Sequence, residues 1–368
     1  MIKRHLKKFK KTAGAQLSEK AAGLQNLNPL ASPKSVEPLT LDNVPQITTE
    51  KMAEHREEVL KGARKYIYPL AHSKHRIVLI TTSIVIGATV LFGAYCAAAL
   101  YKWYDYNAFL YRVTQVVPFP IARAGGSFVN YENYLFEVRR YVHYYETQQQ
   151  QDLSNAGKGQ LLEFRKKALG DVVKKAQIKK LAQTNKVSVS DKEVDQRIVM
   201  VREQNRLGGS TKVFADVLRD YWGWSVADFK RSLSEEMLSE KVVAKLDTEA
   251  SAKAQSALTQ LSAGSEFGAL AKTVSEDPAS KANGGDYGFS IGKTNRNIPP
   301  QVIDAMFKLK VGQVSGIINT GSTLEIIRVN QATADGVTAQ HIVFGLKDIS
   351  TFIKPLADRE KVHYYVKF

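Results

Sequence analysis

The chain reads as an α+β protein with one long apolar helix, and three observations carry that reading. An uncharged apolar run fills 77–101, a helical apolar period dominates 129–246, and beyond Asp247 short helices alternate with Gly-rich turns and a strand. At 368 residues there is room for two or three units of ordinary size, about 100–200 residues each. The 44% hydrophobic and 24% charged residues are globular proportions, which exclude wholesale disorder and collagen-like structure. A single cysteine, Cys96, excludes an internal disulfide framework and a Cys-rich zinc site.

The run at 77–101 is long enough to cross a hydrocarbon core of roughly 30 Å as a helix. Basic Lys74 and Arg76 precede it, and Lys102, Trp103 and Tyr104 follow. A cleaved signal peptide would have a shorter apolar core nearer the start, so the expectation is an uncleaved single-pass anchor. Residues 1–76 hold 15 Lys or Arg against 7 Asp or Glu, which by the positive-inside rule places them in the cytoplasm and the rest outside it. Cys96 would sit in the span as a small apolar residue. Pro29, Pro33, Pro38 and Pro45 mark 26–49 as a solvated tether.

The net charge of +16 raises the question of nucleic acid. No helix-turn-helix, zinc or RNA-binding motif accompanies the basic residues, and half of the excess charge lies in the first 76, where anionic headgroups account for it. The expected partner on that side is a lipid bilayer, and no nucleic acid.

Within 102–247 the apolar positions recur at three- and four-residue steps: Tyr131, Tyr134, Leu135, Val138, Val142 and Tyr145, then Leu161, Leu162, Leu169, Val172, Val173, Ala176 and Leu181. Ser190-Asp191-Lys192-Glu193 and Ser225-Val226-Ala227-Asp228 have the capping-box form that opens a helix, and Gly208-Gly209 breaks the chain between them. A bundle of about five helices is expected. His143, without a spaced second ligand, reads as packed or surface histidine, and Trp222 and Trp224 as a core plug.

Beyond it, 248–261, 266–274 and 300–309 read as helices and 324–329 as a strand, giving a small α+β domain over 248–344 and a tail over 345–368. Phe267-Gly268-Ala269-Leu270-Ala271, Ser275-Glu276-Asp277, Gly284-Gly285-Asp286-Tyr287-Gly288-Phe289, Ala305-Met306-Phe307-Lys308-Leu309-Lys310-Val311-Gly312 and Glu325-Ile326-Ile327-Arg328-Val329 follow in order. Together they resemble parvulin-type peptidyl-prolyl isomerases. The helical unit is similar to the N-terminal chaperone domain of SurA and related membrane-attached foldases.

The resemblance implies a reaction that needs no cofactor or metal. It implies a polar cluster of Asp277, Thr320 and Ser322, and a proline cup of Tyr287, Ile298 and Val302 with Phe307 of the same motif, where the smaller Val302 should grip the ring less firmly. Glu325 stands where the family usually has a histidine, and close to Asp277 it would meet like-charge repulsion and raise one carboxyl. The family's opening His-Ile-Leu strand is missing ahead of the first helix, and its counterpart follows the last strand as Ala339-Gln340-His341-Ile342-Val343-Phe344. This implies a circular permutation, in which a hairpin turned at Asp335-Gly336 returns His341 to the cluster. A tail strand on the sheet edge, or the vestige of a second domain, is the bland alternative.

Two functions stay open. One is a membrane-anchored foldase that binds unfolded secreted chains and isomerises X-Pro bonds; the other is an inactive parvulin-like holdase or assembly scaffold. Oligomeric state is not legible.

Overall fold

The computed structural model describes residues 48–67, 70–124, 126–153, 158–207 and 209–368. The start of the basic arm, the tether at 26–49 apart from its last two residues, and Gly208 lie outside the described residues. The chain divides into two compact units, Met1–Gly87 and Ala88–Phe368.

In the first unit the described chain is helical, with α1 over Thr49–Ile67 and then the opening of α2, Leu70–Tyr101. Among the described residues, one helix, His75–Tyr101, is long and apolar enough to cross a membrane, by length and composition alone. Its last turns are core of the second unit. Cys96, Ala99 and Leu100 are buried there with Leu110, Ile121 and Tyr131, and the Tyr131 hydroxyl donates to the Leu100 carbonyl at 2.5 Å. Cys96 therefore packs against protein.

The helical region of the second unit contains α3 (Ala108–Val116), α4 (Tyr131–Thr147), α5 (Lys158–Thr184), α6 (Asp191–Gln204), α7 (Thr211–Trp222) and α8 (Val226–Leu246). Both capping boxes form, Ser190 with Glu193 and Ser225 with Asp228. Each satisfies two first-turn donors that a helix otherwise leaves unpaired. Gly223 ends α7 in the left-handed region at φ 68°. There Trp222 stacks on Tyr144 and Trp224 on Phe136, and both indoles lie half-buried against the cluster of Phe214, Leu218 and Leu233 and are not in its core.

A helix and a sheet go beyond the expected bundle. β1 (Pro120–Ala124) and β2 (Ser127–Asn130) pair antiparallel, and β6 (Val362–Tyr364) adds to the other edge of β1, in the order β2-β1-β6. The C-terminal tail thus folds back onto the helical region. Phe368 completes the dock, its ring stacked 5.7 Å from that of Tyr134.

The mixed region holds α9 (Thr248–Ser262), α10 (Phe267–Val274), α11 (Pro300–Lys308), the antiparallel sheet β3-β4-β5 (Ile318–Asn319, Thr323–Ala332, Val337–Gly345) and α12 (Ser350–Arg359). Side chains alternate between the faces of a strand. Leu324, Ile326, Ile342 and Phe344 pack on α9 and α10 through Ala254, Ala257, Phe267 and Ala271. From the opposite face Ile327, Val329, Val337 and Ala339 meet Ile298, Val302, Ile303 and Met306.

The β4–β5 hairpin closes at Thr333, whose amide donates to the Gly336 carbonyl at 2.8 Å. A Cβ at Gly336 would lie 2.6 Å from the Ile291 carbonyl oxygen, so glycine is required there.

Candidate functional site

The hairpin sets His341 of β5 opposite Ile327 of β4, one diagonal step from Glu325 on the same face. On the edge of β5 away from β4, the segment after α10 is tied down by hydrogen bonds to the β5 backbone. Glu276 donates its amide to the Val343 carbonyl at 2.8 Å, and the Val343 amide donates to the Ser275 hydroxyl at 3.2 Å. Further along, the His341 amide donates to the Gly285 carbonyl at 2.8 Å. Gly285 has φ 79°, and a Cβ on it would stand 2.1 Å from the His341 carbonyl oxygen. The close approach of these two backbones therefore depends on glycine at this position.

These ties bring Asp277, Glu325 and His341 together. His341 Nε2 lies 3.2 Å from Asp277 Oδ2 and 2.9 Å from Ser280 Oγ, and its Nδ1 lies 3.3 Å from Glu325 Oε2. Glu325 and His341 are 7% and 9% exposed, so these are interior contacts and stronger than exposed ones. Ser280 donates its hydroxyl to Asp277, so towards His341 it accepts and Nε2 carries a hydrogen.

The expected repulsion between Glu325 and Asp277 does not raise Asp277. The imidazole stands between the two carboxyls. Burial pushes Asp277 up, but the Ser280 hydroxyl, the Ala279 and Ser280 amides and His341 outweigh it and hold the carboxyl below its usual 3.8. The group raised is the Tyr287 phenol, by burial first and by Glu325 next. Its ring lies over His341 with centroids 4.1 Å apart, and its hydroxyl faces Glu325 Oε2 at 3.5 Å.

Thr320 joins the cluster indirectly. Its hydroxyl lies 2.6 Å from that of Thr323, which donates to Glu325 Oε1 at 3.0 Å. Ser322 points away: strand alternation puts Thr323 and Glu325 on one face, and Ser322 is exposed without a side-chain hydrogen bond to the cluster. Of the cup residues, Tyr287 borders the imidazole, while Ile298 is 5% exposed and Val302 fully buried, in one cluster with Ile291, Met306 and Ile327. Phe307 lies partly buried beside them, with Lys293 Nζ 5.3 Å from its ring centre. Sequence reading missed Ser280 and Thr323. An Asp277-x-x-Ser280 spacing, which suits a hydroxyl folding back on a carboxylate, was the available signal.

A concavity of about 540 Å³ opens elsewhere, in the helical region between β2, α4, α5 and α8, with Phe128, Phe136, Val172, Lys175, Arg231 and Leu238 on its walls. Glu137 beneath it is 2% exposed and bonded to Lys175 at 2.6 Å and Arg140 at 2.7 Å. Burial pushes its carboxyl up, but the two cations outweigh this and leave it below the usual range.

Residues 228–333 match the PPIC-type PPIASE domain family, and residues 72–243 match the SurA-like N-terminal domain family. The foldase protein PrsA of a Geobacillus species is 46% identical over 72 residues, 19% of this chain and 25% of that protein. Foldase protein PrsA 2 of Bacillus cereus is 28% identical over 170 residues, 41% of this chain and 57% of that protein. Chaperone SurA of Albidiferax ferrireducens is 29% identical over 123 residues, 32% of this chain and 26% of that protein. The chain thus spans between about a quarter and somewhat over half the length of these relatives. It carries a parvulin-type domain joined to a SurA-like chaperone domain and matches foldases of these two kinds.

The comparisons correct the expected localisation. The matched foldases are extracytoplasmic proteins, not proteins with a cytoplasmic N-terminus and a single transmembrane span. The SurA-like match begins at residue 72, so the apolar run at 77–101 falls inside it. Cys96, Ala99 and Leu100 at the C-terminal end of that run are buried in the core, whereas Ile77, Leu79, Ile84 and Leu91 before them are exposed.

Proposed function

We propose that the protein is a foldase that holds unfolded extracytoplasmic chains in its helical region and isomerises X-Pro bonds at the Asp277–His341–Glu325 cluster. The observation that carries this is the return of His341, on β5, to within 3.2 Å of Asp277. Rotation about an X-Pro bond faces a barrier of roughly 18–20 kcal/mol because the planar amide must lose resonance. Lowering it takes an apolar seat for the ring and polar groups that favour the twisted amide, which is differential binding of the transition state. Tyr287, lying over the imidazole, offers the seat, and the Nε2–H shared among His341, Ser280 and Asp277 offers the polar contact.

The circular permutation belongs to the same proposal. The PPIC-type match ends at residue 333, ahead of β5, so the strand bearing His341 comes after the matched interval in sequence yet pairs along β4 in space. The cavity of about 540 Å³, with aromatic walls and the free edge of β2 beside it, suits an extended client segment.

A second reading, an inactive holdase, is favoured by the full burial of Val302 and by the carboxylate at Glu325. The two separate in one experiment on the full chain, proline-limited refolding of a client beside suppression of its aggregation. The foldase reading expects both activities, with Asp277→Ala losing only the first. Aggregation suppression without faster refolding in the unaltered chain would leave the holdase.

A further inference from the structure

Gln204 closes α6 in the helical region, yet the residue is 8% exposed and its side chain reaches into the mixed region. Its Nε2 donates to the Asn295 carbonyl at 2.6 Å and to the Ile298 carbonyl at 2.7 Å. A primary amide has two N–H groups on one nitrogen, so both are spent on carbonyls three residues apart, which fixes the curvature of the loop between them. This loop carries Ile298 and leads straight into α11 and Val302. Its other hydrogen bonds are the Asn297 amide on Asn295 Oδ1 at 2.8 Å, the Asn295 amide on the Gly292 carbonyl at 3.1 Å, and a contact from Arg206 to Thr294 at 3.5 Å, while Ile298 itself packs in the buried cluster with Val302 and Met306.

The opposite flank of the site is gripped in the same way. Asn319 donates to the backbone carbonyl of Glu240 in α8 at 3.0 Å, directly ahead of Thr320. A Cβ on Gly321 would stand 3.0 Å from the Glu240 side chain, and Arg197 of α6 pairs with Glu240 at 3.2 Å. α6 and α8 thus hold both segments that border the cluster.

We propose that Gln204 is a positioning residue of the X-Pro site: by clamping the Asn295 and Ile298 carbonyls, the chaperone region sets the shape of the proline cup in the neighbouring domain. The inference rests on the isomerase reading above and adds the residue through which the helical region acts on it. Without the two donors the carbonyls lose their partners, and the backbone path between Asn295 and Ile298 is held only by the apolar packing of Ile298 with Val302 and Met306.

The test compares the full chain with Gln204→Met, which keeps the bulk and removes the donors. Gln204→Asn, one methylene shorter, serves as the milder variant should Met fail to fold. The readouts are binding and exchange of a short Ala-Pro peptide by NMR, and backbone amide exchange across residues 292–302. The expected result is peptide affinity weaker by about five- to tenfold with a turnover rate within about twofold of the unaltered chain. Amide exchange should rise at Ile298 and Val302 but not across the bundle. A purely structural role would raise exchange throughout and leave affinity in the folded fraction unchanged, which would overturn the proposal. An active unaltered chain with a folded variant indistinguishable from it would sink this inference alone, whereas an unaltered chain inert towards the peptide would sink the isomerase reading with it.

Discussion

His341 Nε2 meets Asp277 Oδ2 at 3.2 Å across 64 residues of chain, and Ser280 connects the two. The contact is made by the β4–β5 hairpin and by the main-chain ties that hold the 275–285 segment on the edge of β5. Removing the connecting hydroxyl should therefore change the titration of the cluster as well as its activity.

Ser280→Ala takes away the strongest stabiliser of the Asp277 carboxylate. The folded carboxyl titrates below its unfolded value of 3.8, so its stabilising contribution is present above about pH 4 and lost as the pH falls through the lower folded value. In the variant the folded value should move up towards 3.8, narrowing that window. Carboxyl carbon NMR of Asp277 reads this directly, and isomerisation should fall about tenfold. An unmoved titration would show that the hydroxyl does not govern the carboxylate.

Gly285→Ala should be among the costly single substitutions. It places a Cβ 2.1 Å from the His341 carbonyl oxygen on a residue with φ 79°. The backbone must yield, at a cost of about 2–4 kcal/mol by chemical denaturation. A loss below about 1 kcal/mol would mean that the two backbones do not approach as described.

Much of this was legible beforehand, and the exceptions share a cause. Ser190 and Ser225 announced their capping boxes because a cap is written within four residues, and Asp335-Gly336 announced the hairpin because a turn is as local. β1, β2 and β6 were not legible. They run to five, four and three residues, too short for a period-two pattern, and β6 joins β1 from the far end of the chain. In the site, Asp277, Glu325 and His341 were named from the resemblance, whereas Thr323 in place of Ser322 follows from strand phase, which a one-residue shift inverts. Gln204 was invisible because its partners, at Asn295 and Ile298, are about ninety residues away and are backbone carbonyls that any sequence supplies.

Lys175→Met tests the buried ion network of the helical region. It leaves Glu137, 2% exposed, with Arg140 as its remaining cationic partner and also strips Glu235 of a contact at 2.7 Å. The expected destabilisation is about 2–4 kcal/mol in chemical denaturation. Much of it should be recovered in the double variant Glu137→Met, Lys175→Met, since removing both charges ends the uncompensated burial. Additive losses in the double variant would contradict a coupled pair.

Tyr287→Phe and Tyr287→Ala separate the ring from its hydroxyl. The hydroxyl contact to Glu325 is long, at 3.5 Å, whereas the ring lies 4.1 Å from the imidazole. Phe should keep peptide affinity within about twofold, and Ala should weaken it about tenfold. Equal losses in both variants would put the weight on the hydroxyl and not on the cup.

The central claim is that the strand following the hairpin completes an isomerase site. It is tested most directly by NMR exchange spectroscopy on a short X-Pro peptide with the full chain, Asp277→Ala and His341→Ala, each checked for folding. The account expects faster cis–trans exchange with the unaltered chain and a loss of at least about a hundredfold in both variants. Catalysis untouched by His341→Ala, or none in the folded unaltered chain, would contradict it.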